Sequence, residues 1–145
     1  MNKKKNLIIG FGNQGKKRLK LLNKKNTIIF DPFNKNCLTE NFDNIDLNEI
    51  NYAFLCTPDK YKISYLKKLL FNKVNTLVEK PLLFKNKKEY IQIHSLLNNY
   101  NPTLYTSYNH LFEKSLIDAK KDINEKKLGK IHRIKIVYAN GTQSN

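Results

Sequence analysis

Only two cysteines occur in the 145 residues, Cys37 and Cys56. They form no C-x-x-C pair and share no metal-ligand spacing with His94, His110 or His132, which excludes a zinc site or a disulfide scaffold as the organising device. Cys56 lies in an apolar, strand-like run, where a reduced and buried thiol is expected. Long hydrophobic runs are also missing, and none approaches the ~18 residues of a membrane span. Lys3, Lys4 and Lys5 precede a short apolar stretch that runs straight into glycine, which is not the pattern of a signal peptide. These absences predict a cytoplasmic protein with no membrane partner. The chain is long enough for one well-formed core and too short for two domains of ordinary size.

Acid is scarce as well, with 12 Asp and Glu against 27 Lys and Arg, a formal net charge of +15. Such an imbalance raises nucleic acid as a partner. Arginine, however, is confined to Arg18 and Arg133, and the lysines are spread along nearly the whole chain instead of gathering in one stretch. Together with abundant asparagine, this reads as a compositional bias. Non-specific adhesion to polyanions is expected, and a dedicated nucleic-acid partner is not.

Of only 5 glycines, three fall in one decapeptide, Asn6-Leu7-Ile8-Ile9-Gly10-Phe11-Gly12-Asn13-Gln14-Gly15. An apolar run ends in G-x-G-x-x-G and is followed by a helix-compatible pattern, Lys16 to Leu22. The order strand, tight turn, helix is that of a dinucleotide-binding turn. Gly10 allows the turn, Gly12 lets the backbone approach a diphosphate, and Gly15 lets the helix pack on its strand with its N-terminus facing the anion. A second apolar stretch, Thr27 to Phe30, ends in Asp31, about 20 residues beyond Gly10, where a carboxylate can accept from ribose hydroxyls. As part of an Asp-Pro pair, Asp31 can also be read as a turn residue.

The patterning predicts strands over residues 5–10, 26–31, 51–56, 74–78, 103–108 and 131–138, with a further short strand near Leu38 to Phe42. Helices are predicted over 14–24, from Pro58 to Phe71 with Thr57 as cap, from Asn86 to Leu97, and from Phe112 to Lys127 with Gly129 as the stop. Ile63, Leu66, Leu69 and Leu70 form the buried side of the second helix. Strands alternating with helices point to an α/β protein with a parallel, doubly wound sheet of Rossmann type.

Glu79-Lys80-Pro81, directly after an apolar strand, adds a second landmark. With the glycine turn, Asp31, Cys56-Thr57-Pro58, Tyr108-Asn109-His110 and Lys127 to Ile131 in order, the chain resembles the N-terminal nucleotide-binding domain of the glucose-fructose oxidoreductase / inositol dehydrogenase (Gfo/Idh/MocA) family. The resemblance implies an NAD- or NADP-dependent oxidoreductase acting on a sugar, cyclitol or sugar-nucleotide hydroxyl. It implies that Thr57-Pro58 lies along the cofactor and that Pro81 is cis. It places Lys80 beside the nicotinamide and the reacting hydroxyl, where an ammonium can stabilise developing alkoxide charge. It further brings Phe11, Asn13, Gln14, Cys56, Glu79 and Asn109 into the cofactor site, with Asn13 and Gln14 contributing backbone amides. Asp31 should repel a 2′-phosphate, favouring NAD over NADP.

Three features depart from the family pattern. Lys62 stands where the family often has histidine, and Leu111 where it often has arginine. The family's second domain, with its Asp and His near the substrate, is absent beyond one strand. The expected organisation is therefore residues 1–128 as the NAD(P)-binding domain and 129–145 as the opening strand of a truncated substrate domain. That strand leaves an open apolar edge, which predicts self-association (a homo-oligomer) or disorder from residue 129 onward. A sugar-type substrate requires that a second domain be supplied, and the alternative is a non-catalytic remnant or NAD-binding module.

Overall fold

The computed structural model of the chain describes residues 5–34, 37 and 41–137. The strand expected near Leu38 to Phe42 lies mostly outside the described residues, as does the tail from Tyr138. Phe42 itself opens a 3-10 turn, Phe42–Asn44.

Five strands, β1 (Lys5–Ile9), β2 (Thr27–Phe30), β3 (Ile50–Leu55), β4 (Asn75–Glu79) and β5 (Leu104–Ser107), pair in the order β2-β1-β3-β4-β5. Every pairing is parallel. Four helices accompany them: α1 (Asn13–Lys20), α2 (Asp59–Phe71), α3 (Lys87–Tyr100) and α4 (Lys114–Asn124). From β1 the chain steps outward to β2, then returns to the other side of β1 to lay down β3, β4 and β5. Right-handed crossovers therefore place α1 on one face and α2 and α3 on the other. The strand order reverses between β1 and β3, and in open parallel sheets ligands collect at that point, outside the carboxyl ends of the strands.

Side-chain alternation divides the sheet accordingly. Leu7, Ile9, Ala53, Leu55 and Val78 join Leu66, Leu69 and Leu70 of α2 and Ile93 of α3 in the main core. Ile63 is buried too, so the buried side expected for α2 is present. Removing each of the three α2 leucines from water stabilises the fold by about 2 kcal/mol. On the opposite face Ile8 is fully buried beside α1. Its neighbours in register, Phe54, Leu77 and Tyr105, remain partly or largely exposed.

Several helix ends differ from expectation. α1 stops at Lys20, and Leu21 beyond it is exposed. α2 is preceded by Pro58 in extended geometry, with no side-chain cap, so Thr57 does not cap it. The reason is geometric: proline at the cap position holds the chain extended and moves Thr57 outside the helix. Asn86 caps α3 as expected, its Oδ1 accepting from the Glu89 amide at 3.0 Å, while the Glu89 carboxylate reaches back to the Lys85 amide at 2.8 Å. The helix continues to Tyr100 and is closed by Asn101 in the left-handed region.

The chain forms two compact units, Met1–Tyr108 and Asn109–Asn145. The boundary expected at residue 128 falls within the second unit. That unit contains the 3-10 turn Asn109–Phe112 and α4, which ends at Asn124, ahead of Gly129. Residues 131–137 form neither strand nor helix, although a strand was expected there. Alternation marks which side chains share a face, but a strand exists only when its backbone finds a partner.

Candidate functional site

At the carboxyl ends of β1, β3 and β4 a cleft of about 550 Å3 is lined by Gly10, Gly12, Gln14, Asp31, Cys56, Thr57, Pro58, Glu79 and Lys80. Nine of the expected site residues thus meet in one place, from loops far apart in sequence. A larger groove of about 650 Å3 between α2 and α3 carries no carboxylate, thiol or histidine, so size alone does not mark the site.

The β1 end of the cleft is shaped by missing side chains. Gly10 has φ +91, and a Cβ on it would stand 2.8 Å from the Cys56 carbonyl carbon. Gly15 is buried, and a Cβ there would lie 2.2 Å from the Gly10 carbonyl oxygen, so it packs behind the turn and does not line the cleft. At Gly12 a Cβ would meet nothing within 4 Å. Only at this glycine of the three is the demand for a bare backbone not explained by the protein's own packing. Gly12 precedes α1 without a side-chain cap, leaving first-turn amides without intrahelical partners.

Asp31 ties the turn together. Its Oδ2 accepts from the Phe11 amide at 2.7 Å and its Oδ1 from the Phe33 amide at 2.9 Å. The Phe11 amide is thereby engaged within the protein, and Phe11 is not among the lining residues. Each carboxylate oxygen retains a further lone pair.

Beyond β3, the Thr57 hydroxyl is buried and has no hydrogen-bond partner, the one such side-chain atom among the described residues. A buried hydroxyl without a partner is unfavourable, and this one belongs to a residue lining the cleft. Burial, reinforced by the Glu79 carboxylate, pushes the Cys56 thiol up to about 12 against opposing effects of Arg18 and Lys62. Cys56 is half-buried, less deeply than its apolar run suggested, and is a neutral thiol at neutral pH.

Beyond β4 the cleft is bounded by charge. Glu79 is gripped by Arg18 of α1, whose Nε donates to Oε1 at 3.0 Å and whose Nη2 reaches the same oxygen. Arg18 Nη2 also donates to Ser107 Oγ at 2.8 Å, joining α1 to the ends of β4 and β5. The Lys80–Pro81 bond is cis, as the resemblance implied. Lys80 is exposed, and its ammonium has no partner among the described residues.

Asn13, in α1, and Asn109, in the second unit, are not among the lining residues. Sequence reasoning missed Phe33, Tyr61, Tyr65, Asp59 and Lys62, which also line the cleft. Phe33 and Tyr61 pair at its mouth with ring centroids 5.9 Å apart. A signal existed for Arg18 and Lys62: one is a lone arginine among lysines, the other a lysine where the resembling family often has histidine.

No family model matches the chain, and no curated protein matches it. Among solved structures it is similar to an NAD-binding protein from Listeria innocua, with 17% identity and a TM-score of 0.68 over 88% of this chain and 41% of that one. It is also similar to myo-inositol 2-dehydrogenase from Lactobacillus plantarum, with 19% identity and a TM-score of 0.64 over 88% and 42% of the two chains. The values for scyllo-inositol dehydrogenase from Lactobacillus casei are 16%, 0.66, 89% and 44%. The chain shares their Rossmann-type fold. It spans about two fifths of the length of these structures. Among the described residues no helix is long and apolar enough to cross a membrane, and no cluster of His, Cys, Asp and Glu could hold a metal ion.

Proposed function

We propose that the chain is the nucleotide-binding part of an NAD-dependent oxidoreductase of the Gfo/Idh/MocA type, acting on the hydroxyl of a sugar or cyclitol. The observation that carries this reading is the pairing, in one cleft, of a glycine whose missing Cβ opens onto empty space with a buried hydroxyl that has no partner. Both features fit a bound polar group, and the cleft lies at the strand-order reversal.

In this reading the backbone at Gly12 and the first-turn amides of Asn13 and Gln14 receive a diphosphate, with the positive end of α1 behind them. The spare lone pairs of Asp31 accept ribose hydroxyls, and its charge disfavours a 2′-phosphate. Thr57 donates its free hydroxyl, and the neutral Cys56 thiol adds no competing charge. The bound nicotinamide supplies the hydride acceptor. The Lys80 ammonium would donate to the reacting hydroxyl oxygen and stabilise the negative charge that develops there as the hydroxyl proton leaves to water.

A second reading, binding without turnover, is favoured by the state of the carboxylates. Asp31 is bound to two amides, Asp59 to Lys62 and Glu79 to Arg18, so each acid lining the cleft is already engaged. None of the three stands apart from a cation or an amide as a dedicated proton acceptor.

Calorimetric titration of the folded chain with NAD and NADP tests the common part of both readings. NAD is expected to bind at least about tenfold more tightly than NADP, a difference of about 1.4 kcal/mol. Absence of binding by either coenzyme overturns the proposal. Reduction of bound NAD with a panel of sugars and cyclitols then separates turnover from binding alone.

A further inference from the structure

Lys62, the fourth residue of α2, is 2% exposed, an unusual place for a lysine. Its Nζ donates to Asp59 Oδ1 at 2.7 Å, to the carbonyl oxygen of Glu79 at 2.6 Å and to the carbonyl oxygen of Pro81 at 2.7 Å. An ammonium has three protons, and here each has its own acceptor. With its hydrogen-bonding capacity filled inside the protein, Lys62 has no proton left for a ligand, although it borders the cleft.

Two of its acceptors are the carbonyls on either side of Lys80. One belongs to the peptide unit that enters Lys80 and the other to the unit that leaves Pro81. The same segment is held from the opposite face of the sheet, where Arg18 grips the Glu79 side chain. We propose that Lys62 is a positioning residue: its ammonium staples the backbone of residues 79–81 so that Lys80 is presented to the cleft in one orientation. This rests on the reading of the cleft as a nicotinamide-dinucleotide site in which Lys80 touches the substrate. Methionine has the length but not the protons. Arginine has protons in a flat fork that does not converge on three acceptors around one nitrogen. Neither should substitute.

The test compares wild type, Lys62→Met and Asp59→Asn in the full chain. Amide hydrogen exchange over the paired end of β4, at Val78 and Glu79, should quicken about tenfold or more in Lys62→Met while the β1 amides keep their wild-type rates, the mark of a local release. Labelling by limiting acetylating reagent, read by peptide mass spectrometry, should change at Lys80 relative to the exposed Lys16 and Lys88. Asp59→Asn, which keeps both carbonyl acceptors, should leave both readouts close to wild type. Unchanged exchange and labelling in Lys62→Met overturns the proposal. If that variant does not fold, the decision passes to wild-type NMR. Through-hydrogen-bond couplings from Lys62 Nζ to the Glu79 and Pro81 carbonyl carbons support the staple, and their absence overturns it. A wild-type chain that ignores both coenzymes removes the cofactor reading but leaves these measurements on Lys62 decisive.

Discussion

At the end of β1 the cleft is made by leaving side chains out, whereas at the end of β4 it is made by bringing charged side chains in. Gly10 and Gly15 are bare because a Cβ would strike backbone atoms, at Gly10 those of Cys56 and Thr57 and at Gly15 the Gly10 carbonyl, and Gly12 is bare beside open space. Across the cleft, the cations Arg18 and Lys62 reach in from α1 and α2 to hold the Glu79 side chain and two backbone carbonyls. The first method depends on backbone packed against backbone and, at Gly10 and Gly15, tolerates no added atom. The second depends on contacts between residues far apart in sequence, and weakens by degrees.

The largest effect is expected where the first rim is sterically closed. Gly15→Ala forces a methyl group against the Gly10 carbonyl oxygen and should destabilise the chain by about 3 kcal/mol through overpacking, read as a lowered denaturation midpoint with an unchanged slope. A variant as stable as wild type would mean that the turn can relax. Arg18→Met attacks the other rim. It leaves the Glu79 carboxylate, only 12% exposed, without its partner and should cost about 2 kcal/mol. The smallest change in stability, and the sharpest separation of fold from binding, is expected for Gly12→Asp. Aspartate is a good residue ahead of a helix and should leave stability unchanged or raise it by about 0.5 kcal/mol. Its carboxylate should still weaken NAD binding by about a hundredfold or more through repulsion of the diphosphate. NAD affinity equal to wild type in that variant would separate the glycine turn from the proposed site.

These differences also explain what could be read from residues alone. The glycine turn, its strand and Asp31 lie within a short stretch of chain, so spacing in sequence carries their spacing in space. The buried leucines of α2 are legible for the same reason, since helical period places them on one side. Arg18 and Glu79 are 61 positions apart, and no local period links them. Lys62 was noticed only as a missing histidine, because the carbonyls that satisfy it are fixed by the path of another loop. Thr57 does not act as a cap, and its orphan hydroxyl is visible only once Pro58 is seen to hold the cap position, ahead of the helix start at Asp59. The alternation at 131–137 was clear, yet alternation supplies no neighbouring backbone.

Sequence by itself determined the parallel α/β order, the glycine turn and the acid that closes the second strand, because each follows from short-range sterics and the period of apolar side chains. Only the tertiary structure decided which charges meet at the end of β4, which carboxylates are already engaged, and which hydroxyl is left without a partner. Those outcomes depend on distances between segments that the chain brings together only by folding.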